Sequence, residues 1–300
     1  MFSVITPTYN GLSKGLKRSI ASVLQLDCIS EYIIVVDAST DGSYEYCKKL
    51  QKSDKRIEVV QNQKNLGWPI STANALALTK GKWTSIHSDD DWFLPNMKNL
   101  VDFILKHNLD LGYSKYAVGL DETKKIDIFT NPAWPQTTTT NLNQEFYKLL
   151  LHDCYIGRCF IKTKILRNFF NTQRLENLFT DFGKPFTALD FDCYLGMSLK
   201  NYKFGFLNEI TNIWTKREQA ESGYNYLVSG QSAAENSYLF NKYFDNKIHE
   251  VQLNYLNQVF QRIKFLFHQA KKQNRNIEKI FETHFLKFSK NIQGLRSQYV

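Results

Sequence analysis

The 300-residue sequence is poor in cysteine pairs, glycine, proline and long apolar runs, and each absence excludes a class of protein. Its five cysteines are odd in number and form no Cys-x-x-Cys pair, which argues against a disulfide framework or a zinc site. Only 14 glycines and 6 prolines are present beside 14% aromatic residues, so collagen-like and largely disordered chains are excluded. No window approaches the roughly 18 apolar residues of a membrane-spanning helix. The first residues also lack the basic and apolar regions of a signal peptide. We therefore expect a cytoplasmic protein.

The charge is positive and unevenly distributed. Lys and Arg exceed Asp and Glu by 38 − 29 = +9, which favours an anionic partner such as nucleic acid, acidic lipid or a phosphorylated small molecule. Residues 235–300 hold 11 basic and 5 acidic residues, or 11 − 5 = +6. Their interleaved phenylalanines leave two alternatives, a surface for anionic lipid or helices whose aromatic stripes pack on the protein. No nucleic-acid-binding motif is present, so we expect no nucleic-acid partner.

Short apolar runs alternate with helical patterns over the first hundred residues. The runs predict strands at residues 2–6, 32–36, 57–60 and 83–87, with helices between them. This repetition predicts an α/β domain with a mainly parallel sheet. Residues 110–141 contain two prolines and a run of four threonines, which predict an excursion or surface loop. Helical spacing returns beyond about residue 232.

Polar clusters follow three of the predicted strands, at residues 6–11, 37–42 and 88–92. Because the carboxyl ends of parallel strands meet at one edge of a sheet, we expect these clusters to form one ligand crevice.

Three consecutive aspartates, Asp89, Asp90 and Asp91, lie in the last cluster. Adjacent carboxylates repel one another, and Mg²⁺ or Mn²⁺ completed by substrate phosphates would relieve that repulsion. The alternative is that the three carboxylates cap and stabilise the N-terminus of a helix beginning near Pro95. The sequence lacks the glycine-rich motifs of P-loop and dinucleotide-binding proteins.

These blocks resemble the opening motifs of family 2 glycosyltransferases, in order and spacing, over about residues 3–100. The matching segments are residues 3–10, 33–43, 65–67, 73–75, 81–83 and 89–91, followed by Pro95. The resemblance implies the GT-A fold, an α/β architecture with a mixed, mainly parallel sheet and flanking helices. Here a C-terminal helical extension would follow it. Val36 and Ala38 depart from the pattern, since the family has Asp and Gly at these positions.

The resemblance also implies roles for particular residues. Tyr9 would stack on the nucleobase, and Asp37 would accept a hydrogen bond from the uracil N3–H. Mn²⁺ or Mg²⁺ would be held by Asp90 and Asp91. The residues implied to bind the nucleotide are Pro7, Thr8, Tyr9, Asp37, Asn65 and Asp89.

Further along, residues 187–195 resemble the Glu-Asp-Tyr-Asp segment of the family at a helix start, although Leu189 replaces the Glu. The resemblance implies that Asp190 is the catalytic base, with Asp192 in reserve. Lys216 and Arg217 follow a segment similar to the family's closing strand, where they would neutralise the diphosphate or form a surface charge pair.

We therefore expect a GT-A domain over residues 1–225 and a basic, aromatic-rich helical extension over residues 226–300. Within the domain, residues 1–100 would bind the nucleotide and residues 101–225 the acceptor. The expected activity is metal-dependent, inverting transfer from a nucleotide-sugar, with UDP-sugar favoured, to a glycan or lipid-linked acceptor in surface polysaccharide synthesis. The C-terminal helices would contact the inner face of the cytoplasmic membrane. The alternatives are a nucleotide-sugar-binding module without turnover and a nucleotidyltransferase.

Overall fold

The computed structural model describes residues 1–120, 126–127, 134–140, 156–200, 202–216, 224–243, 250–273 and 276–299. Within them, nine strands form one mixed sheet in the order β3-β2-β1-β4-β8-β6-β9-β5, with β7 beside β6. The strands are β1 (Phe2–Thr8), β2 (Ile29–Asp37), β3 (Ile57–Asn62), β4 (Trp83–Ile86), β5 (Trp92–Phe93), β6 (Leu111–Leu120), β7 (Ile126–Asp127), β8 (Cys159–Lys162) and β9 (Phe204–Lys216).

The first four strands are parallel, as the alternation of strand and helix patterns predicts. Residues 32–36 of β2 are completely buried, because a central parallel strand has helices on both faces. The helices are α1 (Leu16–Leu24), α2 (Ser43–Ser53), α3 (Gly67–Leu78), α4 (Met97–His107), α5 (Thr163–Phe169), α6 (Thr172–Phe182), α7 (Leu189–Ser198), α8 (Tyr224–Val228), α9 (Gln231–Tyr243), α10 (Glu250–Gln273) and α11 (Lys279–Tyr299). The predicted fold class, a mixed sheet with flanking and C-terminal helices, is confirmed.

The prediction of a loop over residues 110–141 is wrong for its first part. Residues 111–120 form β6, which pairs antiparallel with β8 and parallel with β9. Gly112 in this strand permits close packing of a helix on the sheet. A Cβ atom at Gly112 would lie 2.3 Å from Cγ1 of Ile104 on α4. In the threonine run, Thr139 makes an isolated antiparallel bridge to Phe206.

The chain divides into two compact units. The first comprises Met1–Glu176 and Lys200–Lys216 and contains the sheet. The second comprises Asn177–Leu199 and Arg217–Val300, so α7 groups with the C-terminal helices. The functional boundary at residue 225 stays a prediction.

The aromatic stripe of the C-terminal helices forms the core of the second unit. Phe267 on α10 stacks on Phe285 on α11, with ring centroids 4.1 Å apart. The buried rings of these helices are Phe260, Phe267, Phe281, Phe285 and Phe288, whereas Phe265 is 61% exposed. In the described part of the chain, no helix is long and apolar enough to cross a membrane.

Candidate active site

The polar clusters after β1, β2 and β4 lie at one edge of the sheet. β1 lies between β2 and β4 and is parallel to both, with Thr8 opposite Val36 and Ile5 opposite Ile86. The carboxyl ends of the three strands therefore point the same way, and the loops that follow them are neighbours.

Thr8 connects the end of β1 to the aspartate loop, residues 88–91. Its buried Oγ1 donates a hydrogen bond to Oδ2 of Asp89 at 2.6 Å. Gly11 lies against this pair, since a Cβ atom there would be 2.2 Å from Thr8 Oγ1 and 2.9 Å from Asp89 Oδ2. A side chain at position 11 would thus displace one of the carboxylates that we predicted to bind the nucleotide.

The end of β9 holds the other side of the aspartate loop. Asp91 is buried, and its Oδ1 accepts a hydrogen bond from the backbone N–H of Thr215 at 2.7 Å. The Thr215 hydroxyl donates to the carbonyl oxygen of Asp90 at 2.5 Å. Lys216, the residue after Thr215, is exposed. Arg217 lies outside the described residues.

Arg18 on α1 is a residue that the sequence analysis missed. Its Nη2 lies 3.2 Å from the Asp90 carbonyl oxygen and 3.3 Å from Oγ1 of Thr215. The guanidinium also stacks on Trp92, with its carbon 3.7 Å from the ring centroid. Planar, multidentate contacts of this kind suit arginine better than lysine. No local motif marks Arg18, because its partners come from β9 and the aspartate loop.

The aspartate loop is not the cap of the following helix. α4 begins at Met97 with Asn96 at its N-cap position, five residues beyond Asp91. Asp90 and Asp89 are half-buried, and Oδ1 of Asp90 accepts a hydrogen bond from Ser88 Oγ at 2.5 Å. The aspartates therefore do not cap α4.

The donor set fits a hard cation only if the ligand supplies further oxygens. Among the described residues, no group of three His, Cys, Asp or Glu side chains is arranged to hold a metal ion. Asp91 is buried, whereas Asp89 and Asp90 are half-buried and are therefore the more accessible carboxylates. Mg²⁺ is commonly held by one or two carboxylates together with substrate phosphates. The residues present fit that form of binding.

Asp37 ends β2 and is 3% exposed. Its Oδ1 accepts hydrogen bonds from Asn62 Nδ2 at 2.8 Å and from the Leu66 N–H at 2.9 Å. Its Oδ2 accepts from the Gly67 N–H at 2.8 Å. The carboxylate thus fixes the connection between β3 and α3. Asn65, in that connection, is exposed and accepts a hydrogen bond from the Gly67 N–H at 3.0 Å.

Tyr9 follows β1 and is 43% exposed, so one large ring is accessible beside this edge of the sheet. Lys14 donates to the Tyr9 carbonyl oxygen at 2.7 Å, and its Nζ lies 5.8 Å from the ring centroid. Pro7 is half-buried at the end of the same strand.

The loops after β1 and β2 are joined by side-chain caps. Oδ1 of Asn10 accepts from the Thr40 N–H at 2.8 Å. Asp41 accepts from the Leu12 N–H at 2.9 Å and from the Ser43 hydroxyl. Burial opposes ionisation of Asp41, but the hydrogen bonds from Ser43 and Leu12 prevail and lower its pKa.

His87 precedes the aspartate loop and is 1% exposed. Neither of its ring nitrogens has a hydrogen-bond partner among the described residues. Its ring centroid lies 4.1 Å from that of Phe93. Burial lowers the pKa of His87 to about 3. His87 is therefore a neutral packing residue at ordinary pH.

The predicted base lies in the second unit. Asp190 is half-buried in the first turn of α7, where its Oδ1 accepts a hydrogen bond from the Phe191 N–H at 2.8 Å. Asp192 is completely buried, and its Oδ1 accepts from the Tyr243 hydroxyl at 2.7 Å. Of the two carboxylates, Asp190 is the more accessible.

A protein-family model, Glycosyl transferase family 2, matches residues 3–170. The chain belongs to glycosyl transferase family 2. The matched part includes the loops after β1, β2 and β4, where the carboxylates of the candidate site lie. The predicted family is therefore confirmed.

Individual family members are similar over part of their length. A putative teichuronic acid biosynthesis glycosyltransferase, TuaG of Bacillus subtilis, is 30% identical over 131 residues, 43% of this chain and 52% of TuaG. The glucosyltransferase WfgD of Escherichia coli is 27% identical over 158 residues, 52% of this chain and 57% of WfgD. The chain thus spans somewhat more than half the length of these two relatives.

Solved structures share the fold. Residues 1–349 of TarS from S. aureus superpose with a TM-score of 0.58 at 18% identity, covering 97% of this chain and 91% of that one. The same fragment in complex with UDP-GlcNAc gives a TM-score of 0.56 at 19% identity, covering 97% and 92%. At this identity the likeness extends to the fold alone.

Proposed function

We propose that this protein is a metal-dependent, inverting glycosyltransferase that uses a UDP-sugar and a glycan or lipid-linked acceptor in surface polysaccharide synthesis. One observation carries the proposal: the ends of β1 and β9 hold the loop that carries the half-buried Asp89 and Asp90, and the loop after β2 is joined to that after β1. Support comes from TuaG, named for teichuronic acid biosynthesis, and from WfgD, named a UDP-Glc:α-D-GlcNAc-diphosphoundecaprenol β-1,3-glucosyltransferase.

The donor nucleotide would bind beside the ends of β1 and β2. The exposed ring of Tyr9 is suited to stacking on the base. Pro7, Thr8 and Asn65 would also contact the nucleotide. A carboxylate oxygen accepts two hydrogen bonds, and Oδ2 of Asp37 accepts one from Gly67. A uracil imide could supply the second. The complex of the structurally similar TarS fragment with UDP-GlcNAc is consistent with such a donor.

The diphosphate would lie at the aspartate loop. Asp90 and Asp89 would hold Mn²⁺ or Mg²⁺ together with phosphate oxygens, while Asp91 keeps the loop on β9. The role of Asp91 as a direct ligand stays a prediction. When bound, the metal would supply positive charge to the leaving diphosphate. The exposed Lys216 would add a second cation on the same side.

Asp190 would act as the general base. The acceptor hydroxyl oxygen attacks the anomeric carbon while its proton passes to the Asp190 carboxylate. The bond between the anomeric carbon and the β-phosphate oxygen breaks, and the nucleoside diphosphate leaves. Attack opposite the leaving group inverts the configuration of the sugar.

Three variants test this assignment in a UDP-release and product assay with Mn²⁺, a panel of UDP-sugars and lipid-linked acceptors. Asp90→Ala should lose metal-dependent UDP binding and all transfer. Asp190→Asn should bind UDP normally but lose almost all transfer, leaving a small residual kcat. Asp181→Asn, an exposed carboxylate of the same unit as Asp190, is the matched control and should match the unmodified protein.

Retained transfer in both Asp90→Ala and Asp190→Asn would overturn the proposal. UDP binding without turnover in the unmodified protein would identify a binding module instead. Pyrophosphate release from UTP and a sugar 1-phosphate would identify a nucleotidyltransferase.

We further propose that the C-terminal helices contact the inner face of the membrane. The exposed ring of Phe265 lies between the exposed Arg262 and Lys264 and the half-buried Leu266, a combination suited to an anionic lipid surface. Flotation with phosphatidylglycerol vesicles should recover the unmodified protein. Phe265→Ser should recover less, and equal recovery of both would contradict this role.

A further inference from the structure

Glu235 on α9 is a buried carboxylate with five hydrogen-bond donors around it. Its exposed fraction is zero. Oε1 accepts from the Thr187 N–H at 3.1 Å and from Gln231 Nε2 at 2.8 Å. Oε2 accepts from the Ala188 N–H at 2.9 Å, the Thr187 hydroxyl at 3.0 Å and the Tyr226 hydroxyl at 2.7 Å.

Three of these donors belong to the two residues that directly precede α7. The helix begins at Leu189 with Ala188 at the N-cap position, and alanine has no side chain that could cap it. In a capping box, a Glu or Gln at the third helical position accepts a hydrogen bond from the N-cap N–H. That third position here is Phe191. The local sequence therefore lacks both halves of the usual N-terminal cap.

Glu235 supplies the missing acceptor from 47 residues further along the chain. Each carboxylate oxygen binds one backbone N–H, one from Thr187 and one from Ala188. Gln231 and Tyr226 bind the same two oxygens from the other side and fix the orientation of the carboxylate. The backbone immediately before the first turn of α7 is thus held at two consecutive residues.

Asp190 lies in that first turn, two residues beyond Ala188. We infer that Glu235 is a positioning residue for Asp190: by binding the Thr187 and Ala188 N–H groups, it fixes the direction of the turn that carries the base. That Asp190 is the base rests on the proposed function. That Glu235 holds the segment before α7 rests only on the hydrogen bonds. General-base catalysis requires the base within hydrogen-bonding reach of the acceptor proton, so a small displacement of this turn is costly.

Glu235→Gln is the informative substitution because it nearly preserves the side-chain volume. An amide has only one acceptor atom, so one of the two backbone N–H groups must lose its partner. We expect kcat to fall by about 10- to 100-fold and the donor KM to change by less than about twofold. Ser237→Ala is the matched control, since Ser237 is buried on the same helix and its hydroxyl donates to the Ala233 carbonyl oxygen of that helix. It should keep the kcat of the unmodified protein.

A double-mutant cycle separates positioning from a general structural effect. If Glu235 acts through Asp190, Glu235→Gln should cause no further loss of kcat in an Asp190→Asn background. An equal loss in both backgrounds, or an unchanged kcat in Glu235→Gln, would overturn the inference. If circular dichroism shows that Glu235→Gln is unfolded, Glu235→Asp takes its place. It keeps the charge but is one methylene shorter, and a smaller loss of kcat in the same direction is expected.

Hydrogen exchange tests the same contact without relying on turnover. The amides of residues 187–189 should exchange faster in the Glu235 variant than in the unmodified protein, and Ser237→Ala should leave them unchanged. Unchanged exchange in the Glu235 variant would overturn the positioning role. If the Glu235 variant exchanges faster but the unmodified protein transfers no sugar, the proposed function is refuted. The contact between Glu235 and residues 187–188 is then still supported.

Discussion

Gly11→Ala should damage the candidate site through a single added methyl group. The new Cβ atom would lie 2.2 Å from Thr8 Oγ1, 2.9 Å from Asp89 Oδ2 and 3.2 Å from Leu16 Cβ. The backbone of Gly11 is itself in the ordinary right-handed region, with φ −81°, so conformational strain is not the cause. The steric conflict falls on the hydrogen bond between Thr8 and Asp89.

The expected cost follows from that geometry. To restore a normal van der Waals distance, Thr8 Oγ1 must retreat by roughly 1 Å or more, which breaks its 2.6 Å contact with Asp89. A hydrogen bond to a charged group contributes about 1.5–3 kcal/mol, and overpacking costs about 1–3 kcal/mol. Movement of Thr8 relieves the overpacking but breaks the hydrogen bond, so the two costs do not add in full. We therefore expect the free energy of unfolding to fall by about 2–4 kcal/mol. For a unit of this size, the Tm should fall by about 5–15 °C.

Thermal unfolding of four proteins measures the effect: the unmodified chain, Gly11→Ala, Thr8→Ala and the double variant. Thr8→Ala removes the oxygen that the new methyl group would meet, so Gly11→Ala should cost much less in that background. Gly294→Ala is the control for the substitution itself. Nothing lies within 4 Å of a Cβ atom there, and alanine should stabilise this helix by about 0.5–1 kcal/mol.

Two results would refute the reasoning. One is a loss of less than about 0.5 kcal/mol in Gly11→Ala, within the ordinary range for surface substitutions. The other is an equal loss with and without the Thr8 hydroxyl, which would mean that the methyl group does not conflict with Thr8.

Three further substitutions are informative. Arg18→Lys keeps a positive charge but loses the planar group that stacks on Trp92, so Mn²⁺-dependent UDP affinity measured by calorimetry should fall about tenfold; unchanged affinity would contradict this role. Ala38 has φ +56°, and Ala38→Gly should raise the free energy of unfolding by about 0.5–1 kcal/mol, because relief of the left-handed strain exceeds the added entropy of unfolded glycine; a loss of stability would refute this. Since the pKa of His87 is about 3 when folded and ordinary when unfolded, the unfolded chain binds more protons between about pH 3 and 6.5. The free energy of unfolding should therefore rise with pH through that window, by up to about 1.4 kcal/mol per unit, and be lost as the pH falls. Denaturation of His87→Phe at several pH values should show a flatter profile.

The first hundred residues show how much of the fold local patterns determine. The apolar run that predicts a strand at residues 32–36 lies within β2. The helical spacing of Leu16, Ile20, Val23 and Leu24 predicts a helix that α1 confirms, with the first three buried and Leu24 half-buried. β6 escaped prediction because two prolines and a threonine run indicated a loop over residues 110–141, although all of them lie beyond β6. Its Gly112 suits the strand because α4 packs closely there, and the strand itself pairs with β9.

The candidate site, like the fold, is determined partly by local sequence and partly by tertiary contacts. The sequence by itself determined which loops carry carboxylates, because the strands, the turn residues and the family motifs are local in the chain. It also determined that chemistry would gather where parallel strands end. Asp89, Asp90 and Asp190 could therefore be named before any coordinates.

Only the tertiary structure decided how those carboxylates are held. The Nη2 atom of Arg18 meets the hydroxyl of Thr215 across 197 residues, Asp91 binds the Thr215 backbone across 124, and Glu235 binds the Ala188 backbone across 47. Contacts at such separations leave no periodicity or spacing in the sequence. They exist because folding brings the end of β9 to the aspartate loop in one unit and α9 to the start of α7 in the other.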